Sequence, residues 1–154
     1  MLHMDARDTR LHQRLVDSLH VEAMLLADEA RSYFDDAGRS DRELLDPLDR
    51  VAFSCESLKV TTRLMHVIAW LLTQRAVHAG ELRPHDALHP SRRLGEAPVS
   101  DRQAMVSLPE RAGALIAASA ELHRRVAHLD GAMGDAAPAS SAVHGLQQRL
   151  ARAF

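Results

Sequence analysis

Apolar positions recur at helical spacing along most of this chain. Leu11, Leu15, Leu19, Ala23, Leu26, Ala30 and Tyr33 lie three or four residues apart, the period of a helix buried along one side. Gly38 stops this run, so a first helix is expected over about 10–37, with the charged stretch from Arg39 to Asp46 as a connection. Pro47 then suits a first helical turn, Asp46 before it is placed to cap, and Gly80 is the type of residue most often found just past a helix end. The second helix is therefore expected over about 47–79.

Projected at 100° per residue, this second helix has two apolar faces. Val51, Cys55, Leu58, Met65, Ala69, Leu72 and Ala76 make one, which is expected to face the core and bury Cys55. Phe53, Val60, Leu64, Val67 and Leu71 make the other, roughly opposite. Two apolar faces require two sets of neighbours. Between them runs a polar stripe of Lys59, Arg63, His66 and Gln74 with Trp70, the only Trp, in its midst. The uninterrupted apolar run, Val67 to Leu72, is far shorter than the ~20 residues that a bilayer demands.

Past Gly80 the pattern breaks for about 27 residues, through Pro84, Pro90, Gly95 and Pro98. A loop of that length in a compact domain is usually functional or partly disordered. Asp86 to Leu88 is expected to supply one turn, and Ser100 to Leu108 an early helical turn capped by Asp101. Pro109 fits the first turn of a third helix over about 108–131, with Leu108, Ala112, Leu115, Ser119, Leu122, Val126, Leu129 and Met133 as its face. Gly131 to Ser141 reads as a linker, and Val143, Leu146, Leu150 and Phe154 regain an amphipathic spacing that either docks on the bundle or folds on a partner. The fold class expected is all-α: an antiparallel three-helix bundle over residues 1–131, and a flexible tail over 132–154 with a short amphipathic helix.

Composition narrows the function more than the fold. At 154 residues the chain makes one domain, and an aromatic content of 3% starves sheets of their favoured residues. The net charge of −2 gives no general attraction to nucleic acid or membrane, although residues 1–50 hold 7 Arg against 12 acidic residues and the remainder holds 12 basic against 9 acidic. One cysteine makes no internal disulfide, and the first residues lack the apolar core of a secretion signal, so the cytoplasm is expected.

Chemistry-bearing motifs are sparse. His85 and His89 have i,i+4 spacing but lie in the Pro-broken loop, where a solvated role outweighs a metal site. There is no GxSxG turn, phosphate loop, CxxC pair or Glu-x-x-His motif, and Glu22 and Glu56 count as candidates only if they point inward. Arg92-Arg93 and Arg124-Arg125 do not extend into a basic stripe with interleaved aromatics. No catalytic residue, cofactor or metal site is assigned, and neither an enzyme nor a nucleic-acid binder is expected.

The segments Glu56-Ser57-Leu58, Val60 to Met65, Ala69 to Leu72, Gln74 to Val77 and Gly80-Glu81, with Glu22-Ala23-Met24 and Tyr33-Phe34, resemble the RcdA family, the bacterial regulators of CtrA degradation. The resemblance implies a three-helix bundle that forms a homodimer without catalytic activity. It also implies an adaptor in cell-cycle proteolysis, bringing regulators to the ClpXP protease together with other adaptors, often at a cell pole. The alternative is a helical dimer that regulates cell-cycle signalling without a protease. On either reading the face of Phe53, Val60, Leu64, Val67 and Leu71 is expected to form a dimer contact or a second layer of core. The stripe of Lys59, Arg63, His66, Trp70 and Gln74 is the candidate partner-binding surface, since cations beside an aromatic anchor many interfaces.

Overall fold

Long apolar-periodic stretches free of internal Pro leave the backbone one economical way to satisfy its own polar groups, and the computed structural model, which describes residues 6–136, 146 and 149–153, is helical throughout its regular elements. Helix α1 spans Ala6–Ser32, α2 Arg39–Glu43, α3 Pro47–His78, α4 Arg102–Met105 and α5 Glu110–Ala136. The described residues are all-α. Val143 and Phe154 lie outside the described residues, and Leu146 and Leu150 of the tail are exposed.

The ends of α3 follow the local chemistry. Asp46 is extended, at φ −63° and ψ 156°, in the capping position before Pro47, but its side chain makes no capping bond. At the other end Gly80 takes φ 76°, the left-handed region. There the Glu81 amide bonds the Ala76 carbonyl at 2.9 Å and the Gly80 amide bonds Val77 at 3.1 Å, the paired bonds of a Schellman stop.

Helix α1 ends differently. Instead of stopping at Gly38 it widens into a π-type turn, Tyr33–Ala37, and re-enters a helix at Arg39, so the charged connection holds the short α2. Gly38 has an ordinary φ of −83°; what requires glycine is space, because a Cβ there would lie 2.6 Å from the Tyr33 carbonyl oxygen. The Tyr33 hydroxyl donates to Asp41 at 2.9 Å, tying α1 to α2, and burial together with that bond pushes its pKa up to about 12.

Direction along the bundle is read from contacts. His12 near the start of α1 meets His78 at the end of α3, and Phe34 past the end of α1 meets Phe53 near the start of α3, so these two run antiparallel. Arg63 bonds Ser119 and, further along, Trp70 bonds Asp130, so α3 and α5 run parallel. This corrects the all-antiparallel arrangement and explains the long loop. Antiparallel neighbours need only about 2–8 linking residues, whereas a parallel pair requires the chain to travel back the length of a helix.

The core lies where α1, α3 and α5 meet. It includes Val16, Leu19, Ala23, Ala30 and Tyr33 of the first run, Phe53, Val60, Leu64, Val67 and Leu71 of α3, and Leu115, Ile116, Leu122 and Val126 of α5. Val16 and Ile116 were absent from the expected faces; Leu11 and Leu15, which were on one, are exposed. Helix α5 also continues through Gly131, five residues beyond its expected end.

One end of the α1–α3 contact carries a pH-sensitive pair. His12 Nδ1 and His78 Nε2 lie 3.1 Å apart, with the rings edge to face, while His12 Nε2 and His78 Nδ1 are buried with no hydrogen-bond partner among the described residues. Burial first, and His78 second, lowers the pKa of His12 below 6.5. A lowered folded-state pKa favours the neutral ring, so its stabilisation is fully present above pH 6.5 and is lost as pH falls below it. The urea midpoint should therefore fall between pH 7 and pH 5, and His12→Gln should flatten that dependence; an equal fall in wild type and variant would assign it to other groups.

Candidate functional site

The polar stripe of α3 meets neighbours along its length. Arg63, Trp70 and Gln74 are each 2% exposed, and Lys59 and His66 are half-buried. The cover is the returning loop. Its residues 93–100 form a strap along α3 and α5 whose successive carbonyls are caught by side-chain donors. His123 Nε2 bonds Gly95 O at 2.9 Å and His66 Nδ1 bonds Glu96 O at 3.0 Å. Arg63 Nη2 donates to Pro98 O at 2.9 Å and Lys59 Nζ to Val99 O at 3.0 Å.

Beneath the strap these residues share one network. Arg63 Nη1 donates to Ser119 Oγ at 3.2 Å and Nη2 to Ser100 Oγ at 2.6 Å. Ser100 in turn donates to Glu56 Oε2 at 2.5 Å, and Lys59 donates to Glu56 Oε1 at 3.0 Å. Burial pulls the Arg63 guanidinium below its ordinary pKa while the Glu56 carboxylate pushes it back up. At the far end Trp70 Nε1 and Arg93 Nε converge on Asp130 Oδ1, at 3.0 and 2.7 Å. That hydrogen bond raises Arg93 above its usual value.

This geometry removes the stripe from the list of open surfaces. A planar guanidinium can span two acceptors in different directions, and here it joins α5 on one side to the strap on the other. Glu56 points inward, but Lys59 and Ser100 occupy its oxygens, while Glu22 forms an exposed ion pair with Arg125. His89 bonds Ser91 within the loop, and among the described residues no group of three or more His, Cys, Asp or Glu is placed to hold a metal. Ser119 stood on the expected inward face of the third helix, but its pairing with Arg63, like those of Ser100, His123 and Asp130, joins distant segments that no local pattern links.

The two apolar faces of α3 exchange their expected places. Phe53, Val60, Leu64, Val67 and Leu71 are buried within the chain's own core, so they form the layer of core and not an open dimer face. The other face looks outward. Val51, Leu58, Met65 and Leu72 are 61%, 67%, 63% and 50% exposed, and Cys55 beside them is exposed too. The outward face adjoins a groove of about 350 Å³ between α1 and α3, lined in part by Ala27, Phe34, Met65 and Ile68. A soluble bundle rarely leaves so long an apolar strip bare, and such strips mark protein contacts.

A family described as "Protein of unknown function (DUF1465)" matches residues 7–154. The crystal structure of RcdA from Caulobacter crescentus CB15 is 37% identical to the chain, covers 77% of it and 90% of its own length, and superposes with a TM-score of 0.64. The chain belongs to the RcdA family. The segments that carry the RcdA resemblance hold Glu56, Arg63 and Gln74 of the buried side and Leu58, Met65, Ala69 and Leu72 of the outward side. No curated protein matches the chain. No described helix of this RcdA-family chain is long and apolar enough to cross a membrane.

Proposed function

We propose that the chain is a non-enzymatic adaptor that helps deliver cell-cycle regulators to the ClpXP protease, working as a homodimer in the cytoplasm with recruitment to a cell pole. The observation that carries this reading is the 37% identity to RcdA over 77% of the chain. The unit that acts is the bundle of α1, α3 and α5, which extends past the expected boundary at 131 to Ala136, with the residues after it as its tail. Buried Arg63 and Glu56 are engaged with the strap through Pro98 and Ser100, which supports surfaces as the means of acting. The homodimer would form through the outward face of α3, where Leu58 and Met65 are exposed. Lys59 and His66, at the margin of the strap, remain within reach of a partner, and Leu146 and Leu150 of the tail add exposed apolar positions.

The reading is tested by reconstitution. The purified chain, added to ClpXP and a CtrA-class regulator, should accelerate loss of the regulator, and deletion of residues beyond Ala136 should abolish the gain while leaving the helical signal of the bundle. Capture of the regulator without any change in its degradation would favour the signalling dimer instead. Neither capture nor acceleration would remove the adaptor role.

A further inference from the structure

The contact between His12 and His78 has the geometry of a ligand pair as well as that of a hydrogen bond. His12 lies nearly two turns into α1 and His78 is the last residue of α3, so the antiparallel run of these helices brings both rings to one end of the bundle. His12 Nδ1 and His78 Nε2 face each other across 3.1 Å. Two nitrogens held by one ion at about 2.1 Å stand roughly 3.0 Å apart at a right angle and roughly 3.4 Å apart at the tetrahedral angle. The observed spacing falls inside that interval. We propose that His12 and His78 together bind one divalent transition ion of the nickel, copper or zinc class, which staples the start of α1 to the end of α3.

Donor chemistry selects the class of ion. Imidazole nitrogens suit nickel, copper and zinc, whereas magnesium and calcium take oxygen ligands. Among the described residues no third His, Cys, Asp or Glu joins the pair as a ligand, so water completes the shell. The site is therefore open and exchangeable, unlike a closed structural zinc site with four protein ligands. His78 borders a cavity of about 220 Å³ with Gln13, Asp17, Arg75 and Ala79, which leaves room for several waters at about 30 Å³ each.

The outer nitrogens permit the exchange of a shared proton for an ion. Each neutral ring carries one proton, and binding places both on His12 Nε2 and His78 Nδ1, which frees the two facing lone pairs. Neither outer nitrogen has a hydrogen-bond partner among the described residues, so no bond to the protein there opposes that tautomer. Charge permits it too. The ion sits at the C-terminal, negative end of the α3 dipole, and Arg75, one turn before His78, is paired with Asp17 at 3.5 Å.

The ion alone is the probe, added to the full, untagged chain after treatment with a chelator. With nickel(II) at about ten times its Kd the folded population gains about tenfold over the unfolded, a rise of about 4 °C in melting temperature for a chain of this length. Excess chelator should reverse the rise. His12→Gln and His78→Gln, each with an unchanged helical signal, should abolish it, while His85→Gln combined with His89→Gln in the loop should retain it. NMR of the isotope-labelled imidazoles of the wild-type chain gives a reading that depends on no variant: zinc(II) should move His12 Nδ1 and His78 Nε2 together, to saturation at one ion per chain. No rise in the wild type at millimolar nickel(II), an equal rise in His12→Gln, or zinc(II) that leaves the two facing nitrogens unmoved would each overturn the site.

Discussion

Replacing Arg63 by alanine should lower the stability of the fold by about 3 kcal/mol, as expected when a buried charged donor that serves several acceptors is lost. For a chain of this length that corresponds to a fall of roughly 10 °C in melting temperature. The size follows from what Arg63 holds. Its guanidinium bonds Ser119 on α5, Pro98 on the strap and Ser100, through which it reaches Glu56. Without it those three acceptors lose their donor, and a large side chain leaves a void between α3, α5 and the strap. Arg63→Lys should recover part of the loss, since one ammonium restores the charge but cannot span acceptors on both sides. Thermal melts followed by circular dichroism read all three proteins. An exposed partner-binding Arg63 would leave the melt within a few degrees of wild type, and that result would contradict the buried network.

The sequence located the helices well and their orientations less well, and α3 explains why. Its caps are local chemistry: Pro47 and Gly80 act through their own backbone angles, so the bounds of α3 were legible. Which of its two apolar faces turns inward is not local. Both carry enough aliphatic side chains to pack, and the choice falls to the partners that α1 and α5 supply. Cys55 moved from the expected core to the surface with its whole face. The seven-residue repeat of Leu58, Met65 and Leu72 was one available clue, because a strict heptad suits a partner helix better than the mixed layers of a core. The loop was another, since some 27 residues are more than an antiparallel turn needs. Lys59, Arg63 and His66 meet residues 96–99 of the strap, some 30–40 positions later, which no periodicity within α3 predicts.

Leu71 and Leu72 give the sharpest separation between the inner and outer faces of α3, because they are neighbours of identical chemistry. Leu71 is fully buried and Leu72 is half exposed. Leu71→Ala removes side-chain atoms from the core shared by α1, α3 and α5 and should cost about 3 kcal/mol through lost burial and the cavity left behind. Leu72→Ala should change the stability of the isolated chain by less than about 0.5 kcal/mol, as for a surface substitution. Urea titrations at low chain concentration separate these effects from association, which contributes least there. Raising the concentration should then reverse the emphasis: Leu72→Ala weakens self-association because it empties one large position of the outward strip, while Leu71→Ala leaves that strip intact and retains whatever dimer its less stable fold can support. Equal losses of stability at the two positions would mean that α3 is buried on both faces within a single chain.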